Sequence, residues 1–278
     1  MDLSVAARTD VGMIRSGNED AFFAHATDQL GLFIVADGMG GHAAGEVASE
    51  MAVQIVSREL GQIEDLHGDG VRERVAHALR TANRAIFERT LAESDKQGMG
   101  TTASVLILSG KRYLIGQVGD SRVYMLREGG LKQLTKDHSY VQEQVDAGLL
   151  TPEQARYHPY SNVITRCVGA GESIEPDTFA GEVKPGDVFL LASDGLTGMV
   201  DDRRLQQLLL SRATARRVVD ALIAEANYRG GLDNITAIVV QVQQVDAKDG
   251  GGDAPTVEGP ALPESEPNEV SRGQERKA

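Results

Sequence analysis

The chain has 278 residues, 41% of them hydrophobic and 25% charged, which suits one large domain with a real core. Aromatics make up 4% and there is no Trp, so that core must be built from Val, Ile, Leu and Ala. A net charge of −13 disfavours nucleic acid and anionic lipid as partners, and a single Cys excludes an intramolecular disulfide framework and a thiolate zinc site.

The first residues, Met1-Asp2-Leu3-Ser4-Val5, show neither the basic nor the apolar region of a secretory signal. No run approaches the roughly 18 apolar residues of a membrane span. A cytoplasmic protein that binds neither nucleic acid nor membrane is expected.

In chain order, apolar runs predict strands over 3–8, 21–26 and 32–36. Residues 44–60 read as a helix with Ala44, Val47, Ala48, Met51 and Ile55 on one face. A second helix, 71–91, carries Val75, Leu79, Ala82 and Ile86. Strands return over 103–108, 113–118, 122–126 and 131–134. A polar, helix-prone stretch with Pro152 and Pro159 then spans 137–161. The continuous apolar run 188–192 reads as a central strand, 203–210 and 215–228 as helices, and 235–242 as the closing strand. From 246 to 278 the composition turns to Gly, Pro, Ser and acidic residues, which predicts a disordered tail after a domain at 1–245. Strand blocks alternating with helix pairs suggest an α+β fold, two antiparallel sheets between helical layers.

Three motifs place Asp beside an apolar strand: Val35-Ala36-Asp37-Gly38, Ala192-Ser193-Asp194-Gly195 and Leu232-Asp233-Asn234-Ile235. Gly119-Asp120-Ser121 joins two further strands, and Asn18-Glu19-Asp20 opens another. Any one Asp-Gly is an ordinary turn dipeptide, and Asp65 and Asp69 read as plain loop aspartates. The repetition at strand ends is what points to chemistry. Carboxylates gathered at one rim repel one another unless hard cations neutralise them, and oxygen ligands without Cys or paired His select Mg²⁺ or Mn²⁺ over Zn²⁺. Two such ions about 4 Å apart can activate water against a phosphoryl group.

The order Arg15, Asn18-Glu19-Asp20, Asp37-Gly38-x-Gly40-Gly41, Gly98-Met99-Gly100-Thr101-Thr102, Gly119-Asp120-Ser121-Arg122, Ser193-Asp194-Gly195, Asp233-Asn234-Ile235-Thr236 resembles the type 2C family of metal-dependent protein phosphatases. His158-Pro159-x-x-Asn162-Val163-Ile164-Thr165-Arg166 is similar to its bacterial branch. The resemblance covers about 3–242. It implies a four-layer αββα sandwich and hydrolysis of phosphoserine and phosphothreonine in proteins by a metal-bridging hydroxide, without a phosphoenzyme.

Carried over by position, Asp37 would bridge two core ions, Mn²⁺ or Mg²⁺. Asp194 and Asp233 would complete the first, and the Gly38 carbonyl would bind the second. Glu19 and Asp20 would orient metal-bound waters, with Asn234 beside them. Arg15 would grip the substrate phosphate. Asp120 would hold a weaker third ion, with Ser161 near it on a mobile flap over 138–165. The expected partners are phosphorylated proteins, including a eukaryote-like Ser/Thr kinase that the enzyme opposes, and the expected state is a monomer.

One departure is Met39, which stands where eukaryotic members carry the His usually assigned as general acid; His42 is nearby in a different register, and the acid is left unassigned. Cys167 lacks the Arg that a cysteine phosphatase places six positions on, since Ser173 is there, and it reads as a small buried residue. Two other classes compete. Gly38-x-Gly40-x-x-Ala43 fits a dinucleotide fingerprint, but Asp37 would face the pyrophosphate and the next element is a second helix. A non-catalytic phosphoprotein-binding module of the same fold would be expected to lose its acids, and here they are all present. An anti-anti-sigma-type regulator stays open as the substrate.

Overall fold

Apolar residues at nearly every position of the central strands bury both faces of two antiparallel sheets. The computed structural model describes residues 1–40, 43–68, 70–211 and 213–245, so His42 and the tail expected over 246–278 lie outside the described residues. One sheet contains β1 (Asp2–Asp10), β11 (Ile235–Gln244), β10 (Val188–Ala192), β7 (Arg122–Arg127) and β8 (Gly130–Gln133), in that order. The other runs β2 (Asp20–Ala26), β3 (Leu30–Met39), β5 (Ala103–Ser109), β6 (Arg112–Val118) and β9 (Asp177–Glu182). A two-residue strand, β4 (Gly100–Thr101), pairs with the end of β3.

Phe33 and Val35 of β3 point inward to meet Phe189 and Leu191 of β10 and Ile238 and Val240 of β11, which makes the core between the sheets. The alternate residues Leu32, Ile34 and Ala36 face outward onto helices α1 (Ala43–Leu60) and α2 (Val71–Ala92). On the far side, Leu190, Ala192 and Val239 pack against α5 (Asp194–Thr197), α6 (Asp202–Leu209) and α7 (Ala215–Tyr228). The layers are therefore helix, sheet, sheet, helix, as the α+β reading anticipated. No described helix is long and apolar enough to cross a membrane.

Differences from the sequence reading have physical causes. β9, Asp-Thr-Phe-Ala-Gly-Glu, pairs only with β6 and is half-exposed, so an edge strand of weak apolar pattern goes unnoticed. β3 does not stop at Asp37: Gly38 and Met39 pair with Thr101 and Gly100, so the aspartate lies inside the strand. On α1 the buried stripe runs through Ala44, Ala48, Ala52 and Val56, while Val47, Met51 and Ile55 pack along its edge. On α2, Val75, Leu79, Ala82 and Ile86 are all fully buried.

Candidate metal and phosphate site

The two sheets meet at one end, and acidic side chains from both collect there. β2 and β3 set Asp20 opposite Asp37. From the other sheet, β10 leads through Ser193 into α5, whose first residue is Asp194, and Asp233 stands two residues before β11. Asp120 sits in the turn from β6 to β7, where the chain crosses between sheets.

Hydroxyls fix this arrangement. The Asp37 N–H donates to Thr102 Oγ1 at 2.9 Å, and the Asp37 carbonyl accepts from Thr101 Oγ1 and the Thr102 N–H, each at 2.9 Å. Asp20 Oδ2 accepts from Ser193 Oγ at 2.8 Å and Thr236 Oγ1 at 2.6 Å, so one carboxylate ties both sheets together. A Cβ on Gly38 would lie 2.2 Å from the Gly45 carbonyl oxygen; only glycine lets the start of α1 close onto β3 here.

Asn234, 3% exposed, staples the loop before β2 in place. Its Nδ2 donates to the carbonyls of Val11 and Gly17, both at 2.9 Å, and its Oδ1 accepts the Glu19 N–H at 2.8 Å. That loop carries Arg15, whose Nη2 donates to Asp233 Oδ2 at 2.7 Å. The Glu19 carboxylate comes so close to Gly45 that a Cβ there would be 2.1 Å from Glu19 Oε2.

Burial, and then the charges of Asp20, Asp194 and Asp120, push the Asp37 carboxyl well above the usual carboxylate range. Burial together with Asp194 and Asp137 does the same to Asp120. Burial raises Asp20 to about 7 even though Thr236 and Ser193 oppose it. Burial and Asp233 raise Asp194, while Arg15 and Arg122 oppose the shift. Among the described residues, four buried side-chain polar atoms have no hydrogen-bond partner, and three are carboxylate oxygens of this cluster: Oδ1 of Asp20, Asp120 and Asp194. Also among the described residues, no three acid, imidazole or thiolate side chains already stand at ion-ligating spacing. Of these acids, Asp233 is paired with a cation, Arg15. Hard oxygen donors with unsatisfied lone pairs fit Mg²⁺ or Mn²⁺.

A cleft of about 770 Å³ opens over Asp120, Asp194 and Asp233. Its other wall is the 138–165 segment, which contains α3 (Tyr140–Asp146) and α4 (Pro152–Arg156) and contributes Val141, Arg156 and Ser161. The segment is clamped to the Asp120 turn at its root: His138 N–H donates to the Gly119 carbonyl at 2.9 Å, and Gly119 N–H to His138 Nδ1 at 3.1 Å. Ser161 Oγ bonds Asn162 Oδ1 at 3.2 Å. The structure thus brings together Arg15, Asp20, Asp37, Asp120, Asp194, Asp233 and Asn234, with Ser161 across the cleft. Sequence reasoning gave no role to Ser193 and Thr236 and left Thr101 and Thr102 as ordinary strand residues. Their only signal was membership of the motifs. Cys167 is half-buried, and burial raises its thiol, which leaves it a poor nucleophile.

The protein phosphatase 2C profile matches residues 14–227. The serine/threonine phosphatase stp of Listeria monocytogenes is 40% identical over 237 residues, spanning 84% of this chain and 94% of that protein. The structure of the S. agalactiae serine/threonine phosphatase superposes with a TM-score of 0.82 and 37% identity, over 87% of this chain and all (100%) of that one. The catalytic domain of the serine/threonine protein phosphatase PstP, in complex with two manganese ions, superposes with a TM-score of 0.77 at 38% identity, over 87% of this chain and 99% of that one. The chain belongs to the protein phosphatase 2C family of metal-dependent enzymes. It is a protein serine/threonine phosphatase, and its substrates are phosphoproteins.

Proposed function

We propose that Asp37, Asp194, Asp233 and the Gly38 carbonyl hold two Mn²⁺ or Mg²⁺ ions, that Asp120 with Ser161 holds a weaker third, and that Arg15 receives the substrate phosphate. The observation that carries this is the set of buried, unpartnered Oδ1 atoms in Asp20, Asp120 and Asp194 at the junction of the sheets. The two manganese ions of the PstP catalytic domain support it. Bound there, the ions would supply Lewis-acid activation of water and neutralise a phosphate monoester.

The protein's own part is positioning. The Arg15 fork has five N–H donors and spends one on Asp233, which leaves the rest for phosphate oxygens. Ser193 and Thr236 hold Asp20 in one orientation beside Asp37, and Asn234 fixes the loop from which Arg15 reaches. Hydrolysis is direct, with no phosphorylated side chain. The kinase whose products the enzyme removes is the first partner to test.

Turnover of p-nitrophenyl phosphate should require added Mn²⁺ or Mg²⁺ and stop with EDTA. A phosphate monoester made chiral at phosphorus should be hydrolysed with inversion of configuration, as a single direct displacement requires. Turnover that survives EDTA, or a trapped phosphoenzyme, overturns the reading.

A further inference from the structure

Three large apolar side chains stand exposed next to the phosphate site. Met13 is 66% exposed, Ile14 68% and Leu232 56%, on a protein whose net charge is −13. Met13 and Ile14 immediately precede Arg15, and Leu232 immediately precedes Asp233, so the ion pair between Arg15 and Asp233 lies along the edge of the patch. Met13 N–H donates to the Gly231 carbonyl at 2.7 Å, which locks the two loops side by side. A Cβ on Gly12 would strike the Asp233 carbonyl oxygen at 2.2 Å, so these backbones touch. The Leu232 side chain and Met199 Sδ both come within 4.0 Å of where a Cβ on Gly230 would be, and both residues line the cleft. The patch is therefore a shelf continuous with the cleft, and the bonds from Asn234 make it rigid before anything binds.

Keeping large apolar side chains in water costs free energy, and contiguous exposed apolar patches mark interaction surfaces. The substrate is a polypeptide whose phosphorylated residue must reach Arg15 and the carboxylates. Its chain on either side of that residue has to leave over the rim of the cleft, of which Leu232 and Met199 form part. We infer that the shelf of Met13, Ile14, Leu232 and Met199 receives a bulky apolar side chain of the phosphoprotein close to the phosphorylated Ser or Thr, and so sets substrate preference. The inference rests on Arg15 taking the phosphate.

The test uses synthetic phosphothreonine peptides in which leucine replaces serine in turn at each position flanking the phosphothreonine, with p-nitrophenyl phosphate as the side-chain-free substrate. The wild type should prefer one leucine position by about tenfold in kcat/KM, the scale of one apolar contact in a transition state. Ile14→Ser with Leu232→Ser should abolish that preference. Turnover of p-nitrophenyl phosphate and the melting temperature should stay unchanged. Ile14→Leu with Leu232→Met should retain the preference. Absence of any leucine preference in the wild type, or its persistence in the serine double variant, overturns the inference. So does a fall in molar mass of that variant with the preference intact, which would assign the shelf to a second copy of the chain. Arg15→Ala separates the two readings: an unchanged KM for p-nitrophenyl phosphate would remove Arg15 from the phosphate site, whereas the leucine preference reports on the shelf alone.

Discussion

Arg15 lies between two anions, the Asp233 carboxylate that it contacts at 2.7 Å and the phosphate it is proposed to take. Its interaction with phosphate exists in the ground state as well as the transition state, so its loss should act mainly on binding. Arg15→Ala is expected to raise KM for p-nitrophenyl phosphate by about tenfold or more while kcat changes by less, as steady-state kinetics at saturating Mn²⁺ would show. Asn234 acts one step further back. Its amide makes three hydrogen bonds to the backbone of the loop that carries Arg15, and it is buried. Asn234→Ala removes all three of these hydrogen bonds, each worth about 0.5–1.5 kcal/mol net. A lower melting temperature together with a raised KM is the expected outcome. A fall in stability with KM untouched would show that the loop keeps Arg15 in place without Asn234.

Among the elements, the contact of α5 with the start of β11 sets the distance between Asp194 and Asp233. A Cβ on Gly195 would come 2.0 Å from the Asn234 carbonyl oxygen, a backbone atom that cannot swing aside. Gly195→Ala should therefore push α5 off β11, weaken Mn²⁺ binding by about tenfold or more in calorimetry, and cost about 1–3 kcal/mol of stability. Unaltered Mn²⁺ affinity would mean that the two aspartates do not share an ion. Elements with continuous apolar runs, such as β10 and β11, are legible in the sequence because burial on both faces demands them. So is α2, whose apolar residues keep a helical period. The acids at Asp37, Asp194 and Asp233 are legible because each adjoins such a run. α5 and β4 are not, since a single helical turn and a two-residue strand have no period to detect, and both are held by tertiary contacts. The hydroxyl network under the acids escapes for a related reason: Thr101, Thr102, Ser193 and Thr236 look like any strand-end Ser or Thr until two sheets bring them together.

Across the molecule, the junction of the sheets couples stability to pH and to cations. Without divalent ions the folded state holds Asp20 at about 7, and Asp37, Asp120 and Asp194 also sit above the ordinary range, with burial as the first cause of each. In the unfolded chain these groups titrate near the ordinary value of about 4. Between about pH 4 and pH 7 the folded protein therefore binds more protons than the unfolded one, and stability falls as pH rises through that window. The loss reflects the cost of ionising crowded, buried carboxylates next to one another. Under the proposed ligand set, divalent cations would bind the ionised carboxylates and displace those protons, and so would remove the cost that pH imposes. In EDTA the melting temperature should drop between about pH 4 and pH 7, and the stabilisation by Mn²⁺ should grow by at least about 5 °C over the same range. Asp194→Asn removes one of the mutually repelling charges, and it should flatten the EDTA curve while shrinking the Mn²⁺ shift. A Mn²⁺ shift that stays constant or shrinks as pH rises would place the ions away from these carboxylates, because only ligands that must lose a proton on binding make the stabilisation climb with pH.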